Sequence, residues 1–186
     1  MTEEINNAIE VLSNGGLILY PTDTVWGIGC DATNAIAVQK IYELKQRVAT
    51  KSMICLVAND FMLERHVNTV PDVAYDLIDV SPRPITIVYD EPKGVAKNLI
   101  SDDNTLAIRV ASDKFCQYLI NKFKKPIVST SANLSGEPTP SSFADISEHI
   151  LKGVDYVVDL HKDKDNSVSS TIIKLSNDGT VKVIRE

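Results

Sequence analysis

The chain has no apolar run approaching the ~18–20 residues that a membrane-spanning helix needs, so no membrane protein is expected. Cysteine is scarce and odd in number. Cys30, Cys55 and Cys116 are widely spaced among apolar neighbours, which suits reduced, buried thiols rather than a disulfide framework. His66, His149 and His161 show no ligand spacing with one another or with the cysteines, and so give no support to a zinc site. Positive charge is also in deficit: 19 Lys and Arg against 25 Asp and Glu leave a formal net charge of −6. A protein that holds nucleic acid mainly by neutralising phosphates is disfavoured by that balance, and any anion site must be a local cluster. Two catalytic signatures are missing as well. No Gly-x4-Gly-Lys-Ser/Thr loop is present to cradle phosphates, and no Gly-x-Ser-x-Gly elbow to carry a serine nucleophile. The N-terminus, Met1-Thr2-Glu3-Glu4, carries acids where a secretory signal carries Lys or Arg, so a cytoplasmic location is expected.

What is present reads as one α/β domain spanning 1–186. Ile5, Ala8, Ile9 and Leu12 repeat at helical spacing, and Gly15-Gly16 supplies the stop. Strands are expected at 17–20, 25–29, 53–57, 85–89, 106–110, 127–129, 156–159, 171–175 and 181–185. Helices are expected at 36–44, 61–65, 73–80 and 114–123, with a further helix capped at Ser142, where Asp145 completes a capping box. Ser176-Asn177-Asp178-Gly179 is a hairpin signal. Strands and helices alternate, yet the hairpins exclude a purely parallel sheet, so the expected architecture is a twisted, mixed parallel and antiparallel sheet with flanking helices. A long polar loop is expected over 161–169.

Several clusters could carry chemistry. Lys45, Arg47 and Lys51 stand where a helix gives way to a loop; they are either a solvated helix end or a polyphosphate clamp. Ser129-Thr130-Ser131-Ala132-Asn133-Leu134-Ser135-Gly136 follows a strand and could bind an anion or a ribose, or be a polar turn. Arg109 lies in an apolar strand and needs a partner: it either reaches out at a sheet edge or faces an anion such as a carboxylate. Tyr20-Pro21-Thr22-Asp23-Thr24 reads as a turn in which hairpin chemistry accounts for Pro21 and Asp23, and no acid-base pairing is expected of Asp23, Asp102 or Asp103. Gly27-Ile28-Gly29-Cys30-Asp31-Ala32 imitates a dinucleotide fingerprint without opening the chain's first strand-helix-strand unit. Lys122, Lys124 and Lys125 around Phe123 are either an ordinary basic helix end or a surface for RNA.

Taken together, five segments resemble the YrdC/TsaC threonylcarbamoyl-AMP synthases in that family's order. They are 20–32, Lys45-Gln46-Arg47 with Lys51, Ile108-Arg109-Val110, 130–138 and Ser170-Thr171. The resemblance, to the short single-domain form, implies a YrdC-like fold with a concave electropositive face. It implies an enzyme that makes L-threonylcarbamoyl-AMP and pyrophosphate from ATP, L-threonine and bicarbonate, with Mg2+ accompanying the nucleotide. The product would pass to tRNA-modification proteins that build threonylcarbamoyladenosine. By family position Lys45, Arg47, Ser131 and Asn133 would be catalytic. Arg47, Lys51, Thr105, Ser131, Thr139 and Arg185 would contact ATP, and Thr24, Arg109, Ser129 and Ser170 would hold threonine. Some positions depart from the family: Ser81 and Arg83 replace its usual Trp and Gly, Val48 and Ser52 replace prolines, and Leu56 stands where some members have His. The alternative of another class is an RNA-binding or ribosome-associated module using the same face, and weak RNA binding is a further expectation. A third is a relative that activates a different carbamoyl group.

Overall fold

The computed structural model describes residues 1–47, 53–163 and 168–186. Lys51, with Val48 and Ser52, and the middle of the 161–169 loop lie outside the described residues.

The apolar stripe of the first helix, α1 (Thr2–Ser13), buries Ile5, Ala8 and Leu12, and the chain leaves it through Gly15 at φ +72°, a left-handed conformation that favours glycine. There follow β1 (Ile18–Tyr20), β2 (Gly27–Gly29), α2 (Ala35–Leu44) and β3 (Ile54–Val57). Next come α3 (Asp60–His66), α4 (Val73–Val80), β4 (Ile85–Asp90), β5 (Thr105–Val110), α5 (Lys114–Phe123) and β6 (Ile127–Ser131). The chain closes with α6 (Glu148–Gly153), β7 (Tyr156–Val157), β8 (Thr171–Leu175) and β9 (Val181–Arg185). The side chains of Asn34, Asn59, Asp113 and Ser147 cap α2, α3, α5 and α6 by accepting hydrogen bonds from first-turn amides.

Among the described residues, nine strands form one sheet in the order β7-β1-β2-β6-β3-β5-β4-β8-β9. β1–β7, β3–β5 and β4–β8 pair parallel and the other neighbours antiparallel, as expected of a mixed sheet. Alternation sorts the central strands into two faces. On β4, Ile87 and Tyr89 are buried in the core, while Thr86 and Val88 take the opposite face. Partners in register share that second face: Val88 with Ala107, Leu56 with Arg109, Ile54 with Ser129, Gly27 with Ser131 and Thr86 with Ile172. A set of small or hydroxylated residues is thus brought from distant parts of the chain onto one side of the sheet.

Glycine at β2 is required by the buried Tyr20. A Cβ at Gly29 would stand 2.7 Å from a Tyr20 ring carbon and 2.8 Å from the Val128 carbonyl oxygen. The Gly27-Ile28-Gly29 sequence therefore makes room for an aromatic ring and opens no nucleotide-binding turn. Two expectations are corrected. The helix capped at Ser142, where the Asp145 carboxylate accepts from the Ser142 amide at 3.0 Å and its hydroxyl at 2.9 Å, lasts a single 3-10 turn, Phe143–Asp145, because the backbone turns extended at Ile146 (ψ +126°); α6 starts later, from its own cap at Ser147. β2 starts at Gly27 rather than Val25, because the Val25 carbonyl is taken by the Thr22 hydroxyl at 2.7 Å. Phe143 meets the buried Trp26 with ring centroids 4.9 Å apart. The three thiols are free and buried, and burial pushes Cys55 up to about 12.

Candidate active site

A cavity of about 300 Å3 lies on the hydroxyl-bearing face of the sheet. Eight residues singled out from the sequence line it: Thr24, Arg47, Arg109, Ser129, Ser131, Thr139, Ser170 and Arg185. Thr24 comes from the turn after β1, Arg47 from the exit of α2, Arg109 from β5, Ser129 and Ser131 from β6, and Arg185 from β9. Part of the wall is apolar, supplied by Val25, Met53, Ile54, Val88, Ala107, Ile172 and Ile184. Burial lowers the pKa of both the Arg47 and Arg185 guanidinium groups, and nearby Arg109 adds to the effect on Arg185. Three guanidinium groups around one cavity, in a chain of net charge −6, are the kind of local cationic cluster to which any anion site is confined.

Lys45 is not in the cavity wall. α2 ends in a paired C-terminal motif: Gln46 takes φ +50°, its amide donates to Glu43 O at 3.0 Å, and the Arg47 amide donates to Tyr42 O at 2.9 Å. The left-handed residue turns the chain so that Lys45 points inward and Arg47 reaches the cavity. Only 1% exposed, Lys45 donates through Nζ to the carbonyls of Ser131 and Asn133, and its own carbonyl accepts the Ser135 amide at 2.9 Å. It is a strut that fixes the 131–135 loop, which excludes the reading of Lys45 as part of a solvated helix end.

Burial in the first place, and the Arg47 charge in the second, lower the Lys45 pKa to about 7. Its unfolded value is higher, so between about pH 7 and the usual lysine range the unfolded chain binds more protons than the native one. Stability from this residue therefore rises with pH across that window. The unfolding free energy of the native sequence, measured against Lys45→Met by chemical denaturation, should rise between pH 6.5 and 9; a difference that stays flat or falls would show that the buried ammonium is not penalised.

Asn133 also braces the 131–135 loop. Its Nδ2 donates to the carbonyls of Leu134 at 3.0 Å and Glu137 at 2.7 Å, and its buried Oδ1 has no hydrogen-bond partner among the described residues. Thr105 donates to Asp103 at 2.7 Å and is not in the cavity wall. Lys125 pairs with Asp31 at 2.6 Å, and Lys122 donates to Asn6 at 2.5 Å.

Asp23 is the partner of Arg109 that turn chemistry concealed. Its Oδ1 lies 3.1 Å from Arg109 Nη2, with both side chains buried, in a close ionic contact without hydrogen-bond alignment. Its Oδ2 accepts from the Ser112 amide at 3.2 Å and hydroxyl at 2.7 Å. Arg109 thus sits in a central strand rather than at an edge, already half neutralised, and its buried Nε has no hydrogen-bond partner among the described residues. A signal was available in the sequence, since an arginine in an apolar strand requires a counter-ion. No spacing rule picks out an acid 86 residues away.

A mixed sheet with flanking helices, carrying arginines, hydroxyls and an apolar patch around one cavity, has the make-up of a small-molecule site suited to an anion. The chain belongs to the Sua5/YciO/YrdC family, whose model, described as telomere recombination, matches residues 10–186. A threonylcarbamoyl-AMP synthase of Pseudoalteromonas translucida is 37% identical over 155 residues, covering 82% of this chain and 83% of that one. E. coli YciO superposes with a TM-score of 0.84 at 27% identity, covering all of this chain and 90% of that one. P. abyssi Sua5 complexed with L-threonine superposes with a TM-score of 0.81 at 30% identity over 92% of this chain. The chain spans about half the length of that Sua5 chain.

Proposed function

We propose that the protein is a threonylcarbamoyl-AMP synthase: from ATP, L-threonine and bicarbonate it makes L-threonylcarbamoyladenylate and pyrophosphate, for threonylcarbamoyladenosine modification of tRNA. The observation that carries this reading is the convergence of Thr24, Arg47, Arg109, Ser129, Ser131, Ser170 and Arg185 on one cavity. Support comes from the curated synthases of similar length and from the threonine complex of P. abyssi Sua5. Among the described residues no helix is long and apolar enough to cross a membrane, in keeping with a cytoplasmic place of action.

The chemistry asks chiefly for positioning and charge neutralisation. Threonine's amine and bicarbonate give a carbamate and water. A carbamate oxygen then attacks the α-phosphorus of ATP, forming the mixed anhydride and releasing pyrophosphate, so the enzyme is a nucleotidyltransferase. Arg47, Arg185, Ser131 and Thr139 would hold the nucleotide, with Lys51 a further candidate. Arg109, Thr24, Ser129 and Ser170 would hold threonine. Mg2+ is proposed to arrive on the phosphates, since no three His, Cys, Asp or Glu side chains come together as a metal cage among the described residues. The labile product would then pass to the tRNA-modification proteins that transfer the threonylcarbamoyl group.

The decisive experiment is pyrophosphate release from ATP with threonine and bicarbonate omitted in turn. Release should fall to background in each omission, and release indifferent to both would overturn the synthase reading.

A further inference from the structure

Two of the hydroxyls facing the cavity are backed by threonines that are not in its wall. Thr22 Oγ1 donates its single proton to the Val25 carbonyl at 2.7 Å and accepts the Thr24 amide at 3.1 Å. In its 2.9 Å contact with Thr24 Oγ1, therefore, Thr24 must be the donor. The Thr24 proton is then spent behind the wall, and a lone pair of Thr24 remains for the cavity.

The opposite polarity holds at Ser170. Thr86, fully buried on β4, meets Ser170 Oγ at 2.8 Å, and no other partner of its hydroxyl is seen among the described residues. A buried hydroxyl proton without an acceptor costs more than an unfilled lone pair, so Thr86 donates. Arg185 Nη2 approaches the same Ser170 oxygen at 3.4 Å while its Nε and Nη2 hold the Ser170 carbonyl at 3.2 and 2.8 Å. With its lone pairs so engaged, Ser170 has its own proton left to give to the cavity.

We infer that Thr22 and Thr86 are positioning residues that fix these polarities, Thr24 as acceptor and Ser170 as donor, and so orient an amino acid in the site. The amino group gives an N–H to Thr24, and the carboxylate takes the Ser170 proton beside Arg109. One N–H held by Thr24 leaves the nitrogen lone pair of the neutral amine available to form the carbamate. The inference rests on the threonine assignment proposed above. It goes beyond that assignment in naming two residues that touch no substrate, and in giving each wall hydroxyl a direction.

The test is calorimetric titration of L-threonine, L-threoninamide and the deamino analogue 2,3-dihydroxybutyrate into the full chain and its variants, with steady-state kinetics alongside. Thr86→Val, nearly isosteric, should weaken L-threonine about 10-fold, the loss expected of one hydrogen bond to a charged group. It should weaken threoninamide less than about 2-fold on the same basis, and Thr86→Ser should restore binding. Thr22→Val should weaken threonine and threoninamide alike and leave the deamino analogue unchanged. In both, the KM for threonine should move while that for ATP stays constant. Thr86→Ala provides a second hydroxyl-free variant, and thermal unfolding checks that each is folded. Equal losses across the three ligands, no loss at all, or failure of serine to rescue would overturn the inference alone. A native protein that binds no threonine would instead overturn the synthase reading beneath it.

Discussion

Replacing Asp23 by alanine is expected to destabilise the protein by about 3–5 kcal/mol, the usual cost of stranding one member of a buried ion pair. The side chains of Arg109 and Asp23 are only 4% and 8% exposed, so water cannot take over from the lost carboxylate. The cost should exceed that of losing two ordinary hydrogen bonds, because Asp23 also holds the Ser112 amide and hydroxyl and so ties the turn after β1 to the start of α5. Chemical denaturation checks this directly. Asp23→Ala combined with Arg109→Met should be less destabilised than Asp23→Ala alone, since the second change removes the orphaned cation. A double variant that loses the full sum of both single effects would show that the two residues are not coupled.

Arg47→Ala is expected to lower kcat/KM for ATP by about 10²–10³-fold, the scale of removing one preorganised donor from a developing charge. The fold should be retained, because Arg47 is only half-buried and follows the last turn of α2 without entering the core. Ser131→Ala should give a smaller loss in the same parameter. Arg47→Lys should recover only part of the activity, since an ammonium lacks the planar fork that fits two phosphate oxygens. Threonine binding measured in the absence of ATP should be unchanged in Arg47→Ala. Kinetics for ATP equal to those of the native protein would remove Arg47 from the nucleotide site.

The two experiments probe halves of the cavity that differ in construction. At Arg109 the cation is buried and already paired, so the protein has met part of its desolvation cost before any ligand arrives. At Arg47 the guanidinium stands at the exit of a helix, placed there by a left-handed Gln46 that sends Lys45 inward and Arg47 outward. Gly29 and Tyr20 make a comparable arrangement beside the cavity, where the absence of a side chain on β2 admits a buried ring against the strand. These are backbone devices whose effect is to present particular side chains.

Helical and alternating periodicity located most elements, from α1 with its Ile5, Ala8 and Leu12 stripe to the hairpin of β8 and β9, because local burial patterns are written in local sequence. The capping box at Ser142 was legible too, but its helix was not, since a second cap at Ser147 lies beyond it. Residue types and family order likewise singled out Thr24, Arg47, Arg109, Ser131 and Ser170, all of which line the cavity. Their roles behind the wall were not legible. Lys45 and Arg47 are two residues apart and of one charge, yet one is a buried strut and the other faces the cavity. Asp23 has the setting of a turn acid in the sequence yet lies 3.1 Å from Arg109, and Thr22 and Thr86 carry no signal of their own. The sequence by itself determined which elements form and which residue types can meet an anion, because periodicity and side-chain chemistry are local. Only the tertiary structure decided which cation points inward, which acid meets which arginine and that Thr86 meets Ser170, because those depend on partners that strand order brings together from distant parts of the chain.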